Sequence, residues 1–313
     1  MAMIQIYSHD SFMEHDPGPT HPENPGRLHS IVDALQDPRV KPLLAWQTAP
    51  RAEESQVLLA HSEEHLELVT QVAAEARDDA RRSLDPDTVM SASSFDAALR
   101  AVGAAVAGVE DLLAGRTREV FCLARPPGHH ATPERAMGFC VFNQVAIAAF
   151  HAQRRGVERV AVVDFDVHHG NGTQDSLSGK PGMLFISTHQ SPHYPGTGQP
   201  HENRPGNILN LPLVAGTDDL TYRQLFSEQI LPDLEAFRPD LILVSAGFDA
   251  HRDDPLGGLR LDESTYAWLG TTLREVADKY CGGKLLSVLE GGYNLSVLGQ
   301  SVAAYLTGRV AAR

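Results

Sequence analysis

Four short clusters in this 313-residue sequence gather side chains that can hold a metal ion or transfer a proton: His129-His130, the segment Asp164 to Asn171, Asp249 and Tyr293. In the second, Asp164, Asp166 and His168 fall at alternate positions after the run Val160-Ala161-Val162-Val163. Alternate residues of an extended strand share one face. Three polar groups on one face of a core strand are costly to bury without a partner. A divalent cation would satisfy them, because carboxylate oxygen and imidazole nitrogen both ligate first-row metals. A hydrogen-bonded core cluster, or the catalytic face of an unrelated α/β enzyme, would satisfy them too. Taken singly, the other clusters also have structural explanations: His129-His130 as a loop anchor after Pro126-Pro127-Gly128, Asp249 as a helix cap, Tyr293 as the close of a turn.

The elements that would position these groups alternate between strand and helix. An apolar, β-branched run that turns into acids, histidines and glycines marks a parallel strand reaching the carboxyl edge of its sheet, where ligands bind. Strands are expected at the start (Met1 to Tyr7) and at Val120 to Ala124, Val160 to Val163, Met183 to His189, Ile208 to Leu211, Leu241 to Val244 and Leu285 to Leu289. Between them, apolar spacing predicts helices from Glu23–Arg27 through Leu35, from Ser62 to about Ala80, and from a cap at Ser93 or Ser94 to Gly115. Further helices are expected through Phe150, around Tyr222 to Phe237, and from about Glu263 to Tyr280. Ser83 to Thr88 reads as a polar turn, and the Pro-, Gly- and His-rich stretch from His9 to Arg27 as an ordered loop of functional character. No repeat or linker interrupts the pattern, so residues 1–313 read as one α/β domain, a mostly parallel sheet with helices on both faces. The polar clusters all follow strands and should converge on one sheet edge.

Composition narrows the classes. With 42% hydrophobic and 21% charged residues the chain has the balance of a soluble globular protein, which excludes disorder and a coiled coil. Its apolar runs are too short to cross a bilayer and its start lacks signal-peptide character, which places the expected protein in the cytoplasm. Cys122, Cys140 and Cys281 are dispersed and odd in number, and read mostly as small buried hydrophobes rather than disulfides or a thiolate metal site. A net charge of −14 argues against a nucleic-acid partner; it would favour cationic substrates, or serve solubility alone. Assembly state is not legible from sequence.

Taken together, the segments Arg125-Pro126-Pro127-Gly128-His129-His130-Ala131, Asp164 to Gln174, Ser245-Ala246-Gly247-Phe248-Asp249-Ala250-His251 and Leu289-Glu290-Gly291-Gly292-Tyr293-Asn294 resemble the zinc-dependent histone deacetylase family, in its class II-like bacterial branch of deacetylase-like amidohydrolases and acetylpolyamine amidohydrolases. The resemblance runs from the loop His21 to Arg27 through Tyr293. It implies the single-domain arginase-deacetylase fold and one zinc ion held by Asp166, His168 and Asp249. By the same resemblance His130 is the main general base and acid, with Asn171 behind it, and His129 is its electrostatic partner, with Asp164 behind it. A carboxylate raises the basicity of an imidazole, whereas an amide only orients it. Tyr293 would polarise the amide carbonyl and hold the oxyanion. His169 and His251 are read as supporting or structural.

Gly138, Phe139, Tyr194, Leu256 and Gly292, with Gly128, would shape a narrow tunnel for an alkyl chain, with Asp87 at its rim. Relatives more often carry Phe where this chain has Tyr194. A monovalent cation, usually potassium, would involve Asp164, Asp166, His168, Ser187 and Thr188. The implied reaction removes acetyl or another short acyl group from acylated lysine side chains or a related primary amine. Alternatives are an acetylpolyamine amidohydrolase, for which no long site-burying insertion is evident, and a catalytically idle acyl-amine binding protein, for which no lesion is visible at His129, His130 or Tyr293. An arginase-like enzyme with two manganese ions would need a further acid where Gly170 stands.

Overall fold

The computed structural model describes residues 4–76 and 80–311, with side chains described through Gly308. Its strands, in chain order, are β1 (Ile4–Ser8), β2 (Leu44–Thr48), β3 (Arg82–Asp85), β4 (Thr88–Met90), β5 (Glu119–Cys122), β6 (Val160–Asp164), β7 (Met183–Gln190), β8 (Ile208–Leu213), β9 (Leu241–Ala246) and β10 (Leu285–Leu289). Eight of them form one sheet in the order β2-β1-β5-β10-β9-β6-β7-β8, and every pairing in it is parallel. β3 and β4 make a separate antiparallel hairpin.

The central strands are mostly apolar and buried because both of their faces are covered. Val120 and Leu286 meet Gly108 of the Ser94–Leu113 helix. Their chain neighbours Phe121 and Ser287 point the other way and meet Tyr305 of the Leu295–Ala311 helix. The Ser94–Leu113 and Gln144–Arg154 helices pack together as one layer, and the Glu263–Tyr280, Leu295–Ala311 and Gly26–Ala34 helices as the other. Period-2 alternation along each strand thus sorts side chains between two helical layers.

Several expectations are corrected. The edge strand β2 was not anticipated; Leu-Ala-Trp-Gln-Thr is short and mostly exposed, and its strand form comes from pairing with β1 rather than from its own pattern. The stretch Ser83 to Thr88 is a hairpin rather than only a turn. The helix expected from Tyr222 to Phe237 is broken into Asp219–Leu225 and Leu231–Phe237 by a wide π turn over Phe226–Ile230. Pro232 follows that turn, and its missing N–H explains why the regular ladder cannot run through. The helix from Ser62 is Glu63–Glu75 and stops short of the anticipated Ala80, since Ala76 has already left helical geometry; residues 77–79 lie outside the described residues. All three cysteines are buried and free. Among the described residues no helix is long and apolar enough to cross a membrane.

Candidate active site

Five strands that are scattered in sequence, β5, β10, β9, β6 and β7, stand side by side in the sheet. Their carboxyl ends carry, in turn, the loop with His129-His130, Glu290 to Tyr293, Asp249, Asp164 to Asn171, and the loop with His193-Tyr194. Parallel pairing therefore gathers the candidate residues at one edge.

The pairs of histidines and supporting groups are in contact. His129 Nδ1 lies 2.9 Å from Asp164 Oδ2, and His130 Nδ1 lies 2.8 Å from Asn171 Oδ1. Each acceptor takes the Nδ1 proton, which leaves Nε2 of each ring uncommitted to its support. The two rings are 4.0 Å apart between centroids. Gly170 is as close as a residue can be here, since a Cβ on it would sit 2.2 Å from Asp164 Oδ2.

Asp166, His168 and Asp249 form a buried trio whose ligating atoms lie within 4.8 Å of one another. His168 Nδ1 is 3.0 Å from Asp166 Oδ1 and 3.1 Å from Asp249 Oδ2. Backbone donors aim both carboxylates: Val167 N–H bonds Asp249 Oδ1 at 2.8 Å, and Gly291 N–H bonds Asp166 Oδ2 at 2.8 Å. Gly291 closes the cradle, because a Cβ there would stand 2.0 Å from Asp249 Oδ2 and 2.6 Å from Asp166 Oδ2. Two acids and one imidazole, converging and held by backbone, fit a divalent cation with positions left open.

Electrostatics separate the two tandem histidines. Burial opposes charge on His129, but Asp164, Asp166 and Glu290 outweigh it and hold its pKa well above the ordinary imidazole value. His130 is driven well below that value by burial and by the neighbouring His129 and His168. In the trio without a cation, burial and Asp166 push Asp249 up to about 7. His168, despite burial, is raised to about 10 by Asp166 and Asp249. The trio is thus held together by borrowed protons, a role a divalent cation takes over. Burial raises the Tyr293 phenol well above its usual value, with Arg27 opposing.

Arg27 is fully buried and donates to Gly292 O at 2.7 Å and to Glu290 O, which frames Gly291 from both sides. Its guanidinium lies 4.9 Å from the centre of the Tyr293 ring. Glu23 joins Arg27 (3.0 Å) to Arg125 (2.7 Å), so the His21 to Arg27 loop is a brace for this edge. Asp254 Oδ2 accepts the N–H groups of Tyr293 (2.6 Å) and Asn294 (3.1 Å). Sequence reasoning did not single out Asp254 or the bracing role of Arg27; the one signal for Asp254 was an Asp preceding Pro255, a turn former.

The tunnel candidates surround this centre. The Phe139 ring stands edge-on to Tyr293 at 5.9 Å, while the Tyr194 ring stands edge-on to His130 at 5.1 Å. Phe139 and Tyr194 thus flank the centre through different neighbours. Gly138 adopts φ 56°, and a Cβ there would meet the His130 ring at 2.4 Å. Leu256 receives a hydrogen bond at its carbonyl from His193 Nε2 at 2.8 Å, and the His193 ring stacks on His168 at 4.9 Å. His193 was not among the expected site residues, because one histidine in an irregular loop carries no spacing signal. Gly292, at φ 121°, faces Leu298 and Phe248 rather than open space. Gly128 donates its N–H to Glu290 Oε2 at 2.7 Å. Asp87 accepts the Gly138 N–H at 3.0 Å, which ties the β3–β4 hairpin to the loop that carries Gly138 and Phe139.

Ser187 pairs in register with Asp164, and Thr188 donates to Asp164 O at 3.5 Å, so the expected monovalent-cation residues are neighbours. The Ser187 hydroxyl is engaged with His189 and that of Thr188 with Tyr222. His169 fastens the Tyr194 loop through Thr197 (2.8 Å), and His251 accepts from Asp253 N–H (3.1 Å).

Residues 21–309 match the family model described as the histone deacetylase domain. A protein of Synechocystis sp. named only as uncharacterized protein slr0245 is 42% identical over 309 residues, covering 97% of this chain and 98% of its own length. The histone deacetylase-like amidohydrolase of Pseudomonas aeruginosa is 38% identical over 279 residues, covering 87% and 72%. A solved structure, the crystal structure of the HDA15 HD domain, superposes with a TM-score of 0.92 at 34% identity, covering 99% of this chain and 88% of that one.

Proposed function

The chain belongs to the histone deacetylase family of hydrolases, and on that premise we propose that it is a zinc-dependent deacylase. It would remove acetyl or another short acyl group from acylated lysine side chains or a related primary amine. The observation that carries the reading is the buried trio Asp166, His168 and Asp249 beside a histidine pair whose pKa values are pushed in opposite directions. Zinc, when held by the trio, would supply Lewis acidity towards the amide carbonyl and a more acidic water.

The chain's own residues then divide the work. His130 is neutral, with Nδ1–H on Asn171, so its Nε2 takes the proton from water and returns it to the leaving amine. His129, paired with Asp164, holds positive charge beside the developing negative charge. Tyr293 keeps its proton, because burial raises its pKa, and donates a hydrogen bond to the oxyanion. Asp254 and Arg27 hold the Tyr293 backbone and ring in place. Phe139, Tyr194 and Leu256 accept the alkyl stem, Gly138 and the Gly292 backbone line the channel, and Asp87 contacts the substrate at the rim. One domain over 1–313, a potassium ion near Asp164, Asp166, His168, Ser187 and Thr188, and a cytoplasmic location belong to the same proposal.

Close packing at Gly170 disfavours the arginase-like alternative, since an aspartate there would collide with Asp164 Oδ2. Purified, zinc-loaded protein should turn over an acetyl-lysine peptide. Absence of turnover on acetyl-lysine peptides, acetylputrescine and acetylspermidine, with zinc or any other divalent metal, would leave the idle binding protein as the better reading. The ratio of rates among the three substrates assigns the substrate class.

A further inference from the structure

A second set of ligating groups lies behind the tandem histidines. A ring nitrogen of His129, Cys140 Sγ and a carboxylate oxygen of Glu290 fall within 4.8 Å of one another, and all three residues are buried. They come from three elements: the loop after β5, the Met137–Cys140 bridge, and the end of β10. Glu290 is fully buried and its two oxygens are treated differently. Oε2 accepts the N–H groups of Gly128 (2.7 Å) and His129 (3.1 Å), whereas Oε1 has no hydrogen-bond partner. An unpartnered carboxylate oxygen in a buried site is costly, and a cation is one of the few things that removes that cost.

We propose that His129, Cys140 and Glu290 form a second site for a soft divalent metal, zinc or cadmium, and that its occupation switches the enzyme off. One sulfur, one imidazole nitrogen and one carboxylate oxygen suit zinc or cadmium rather than magnesium or calcium. Nδ1 of His129 is committed to Asp164, so Nε2 is the nitrogen left to bind. The same Nε2 lies 3.9 Å from Asp166 Oδ2, which puts His129 between the two clusters. A metal on Nε2 removes His129 from its place beside the reacting centre. Binding replaces the S–H bond of Cys140 and the Nε2–H bond of charged His129 with bonds to the metal and releases both protons to solvent; no oxidant or reductant takes part. The thiol now bonds to Gly138 O at 3.3 Å, a weak contact that a metal can replace. Cys122 and Cys281 are absent from both metal-ligating clusters found among the described residues.

The inhibition rests on the deacylase reading, but the binding does not, and the test keeps them apart. Metal-free protein is titrated with cadmium while thiolate-to-cadmium ultraviolet absorption and bound metal per chain are recorded. Wild type should take up two equivalents and show the thiolate band. Cys140→Ser should take up one and show none. Glu290→Gln should weaken the second equivalent by at least about tenfold. In the activity arm, zinc beyond the first equivalent should inhibit wild type, and the half-inhibitory concentration should rise by at least about tenfold in Cys140→Ser. A single equivalent in wild type, a thiolate band that survives Cys140→Ser, or equal inhibition of both proteins would overturn the proposal. If no substrate is turned over, the absorption and stoichiometry still decide the metal site.

Discussion

Replacing Gly291 with alanine adds one methyl group and no new chemistry, yet it should dismantle the metal trio. The added carbon would stand 2.0 Å from Asp249 Oδ2, where ordinary contact begins at 3.4 Å, so something must move by more than 1 Å. The backbone is not free to retreat. Arg27 holds the carbonyls on both sides of Gly291, with 2.7 Å to Gly292 O, and Gly291 N–H is itself bonded to Asp166. Nor is there a conformational reason for glycine, because Gly291 does not have positive φ. The carboxylates must therefore give way. Zinc–oxygen bonds are about 2.0–2.2 Å with little tolerance, so a shift above 1 Å removes Asp249 from the coordination set. Metal affinity should fall by more than the roughly 10–100-fold that loss of an outer hydrogen bond costs. The overpacking itself should cost about 1–3 kcal/mol of stability, which a domain of typical stability survives. Thermal unfolding confirms that the variant is folded, zinc content at a series of buffered zinc concentrations gives the affinity, and kcat/KM on an acetyl-lysine peptide gives the function. A folded Gly291→Ala protein that binds zinc and turns over substrate like wild type would refute the reasoning.

Three further outcomes are expected. Tyr293→Phe should keep its full zinc content and lose about 10²–10³-fold in kcat, as removal of one oxyanion donor does; near-wild-type kcat would remove Tyr293 from that role. Asn171→Asp places a carboxylate where an amide meets His130 at 2.8 Å, stabilising the imidazolium; the acid limb of the kcat/KM profile should move to higher pH by about 1–3 units, and an unmoved limb would mean that His130 is not the titrating base. His61 is buried, its pKa pushed down to about 3 by burial and by His65, against an ordinary value of 6.5. It is neutral in the fold while the unfolded chain protonates below pH 6.5, so stability is intact above that pH and is lost as pH falls towards 3, by up to about 1.4 kcal/mol per unit. His61→Gln, which keeps an acceptor for the Asn143 N–H now 2.8 Å from His61 Nε2, should flatten acid unfolding; identical acid dependence in both proteins would contradict this.

Fold class was legible in the chain because it depends on local pattern, whereas the site candidates stood out only when four motifs together were seen to resemble a known family. A β-branched run ending in Asp164-Phe165-Asp166-Val167-His168 announces a buried strand and its carboxyl edge whatever lies beside it. The long helix expected from about Glu263 to Tyr280 spans Glu263–Tyr280 in the structure, since its apolar period and the Gly282-Gly283 stop after it are local signals. The edge strand β2 was illegible for the opposite reason: its pairing with β1 is a tertiary contact. What only the tertiary structure decided is how residues distant in sequence constrain one another. Arg27 grips the backbone of Glu290 and Gly292, Asp254 fixes Tyr293, and Gly291 limits the approach of Asp166 and Asp249. Cys140 read as a small buried hydrophobe, and in the fold it lies among ligating groups beside His129 and Glu290. Residue type and spacing can announce what a side chain is able to bind, but distance, burial and an unpartnered oxygen exist only once the parallel sheet has brought its strand ends together.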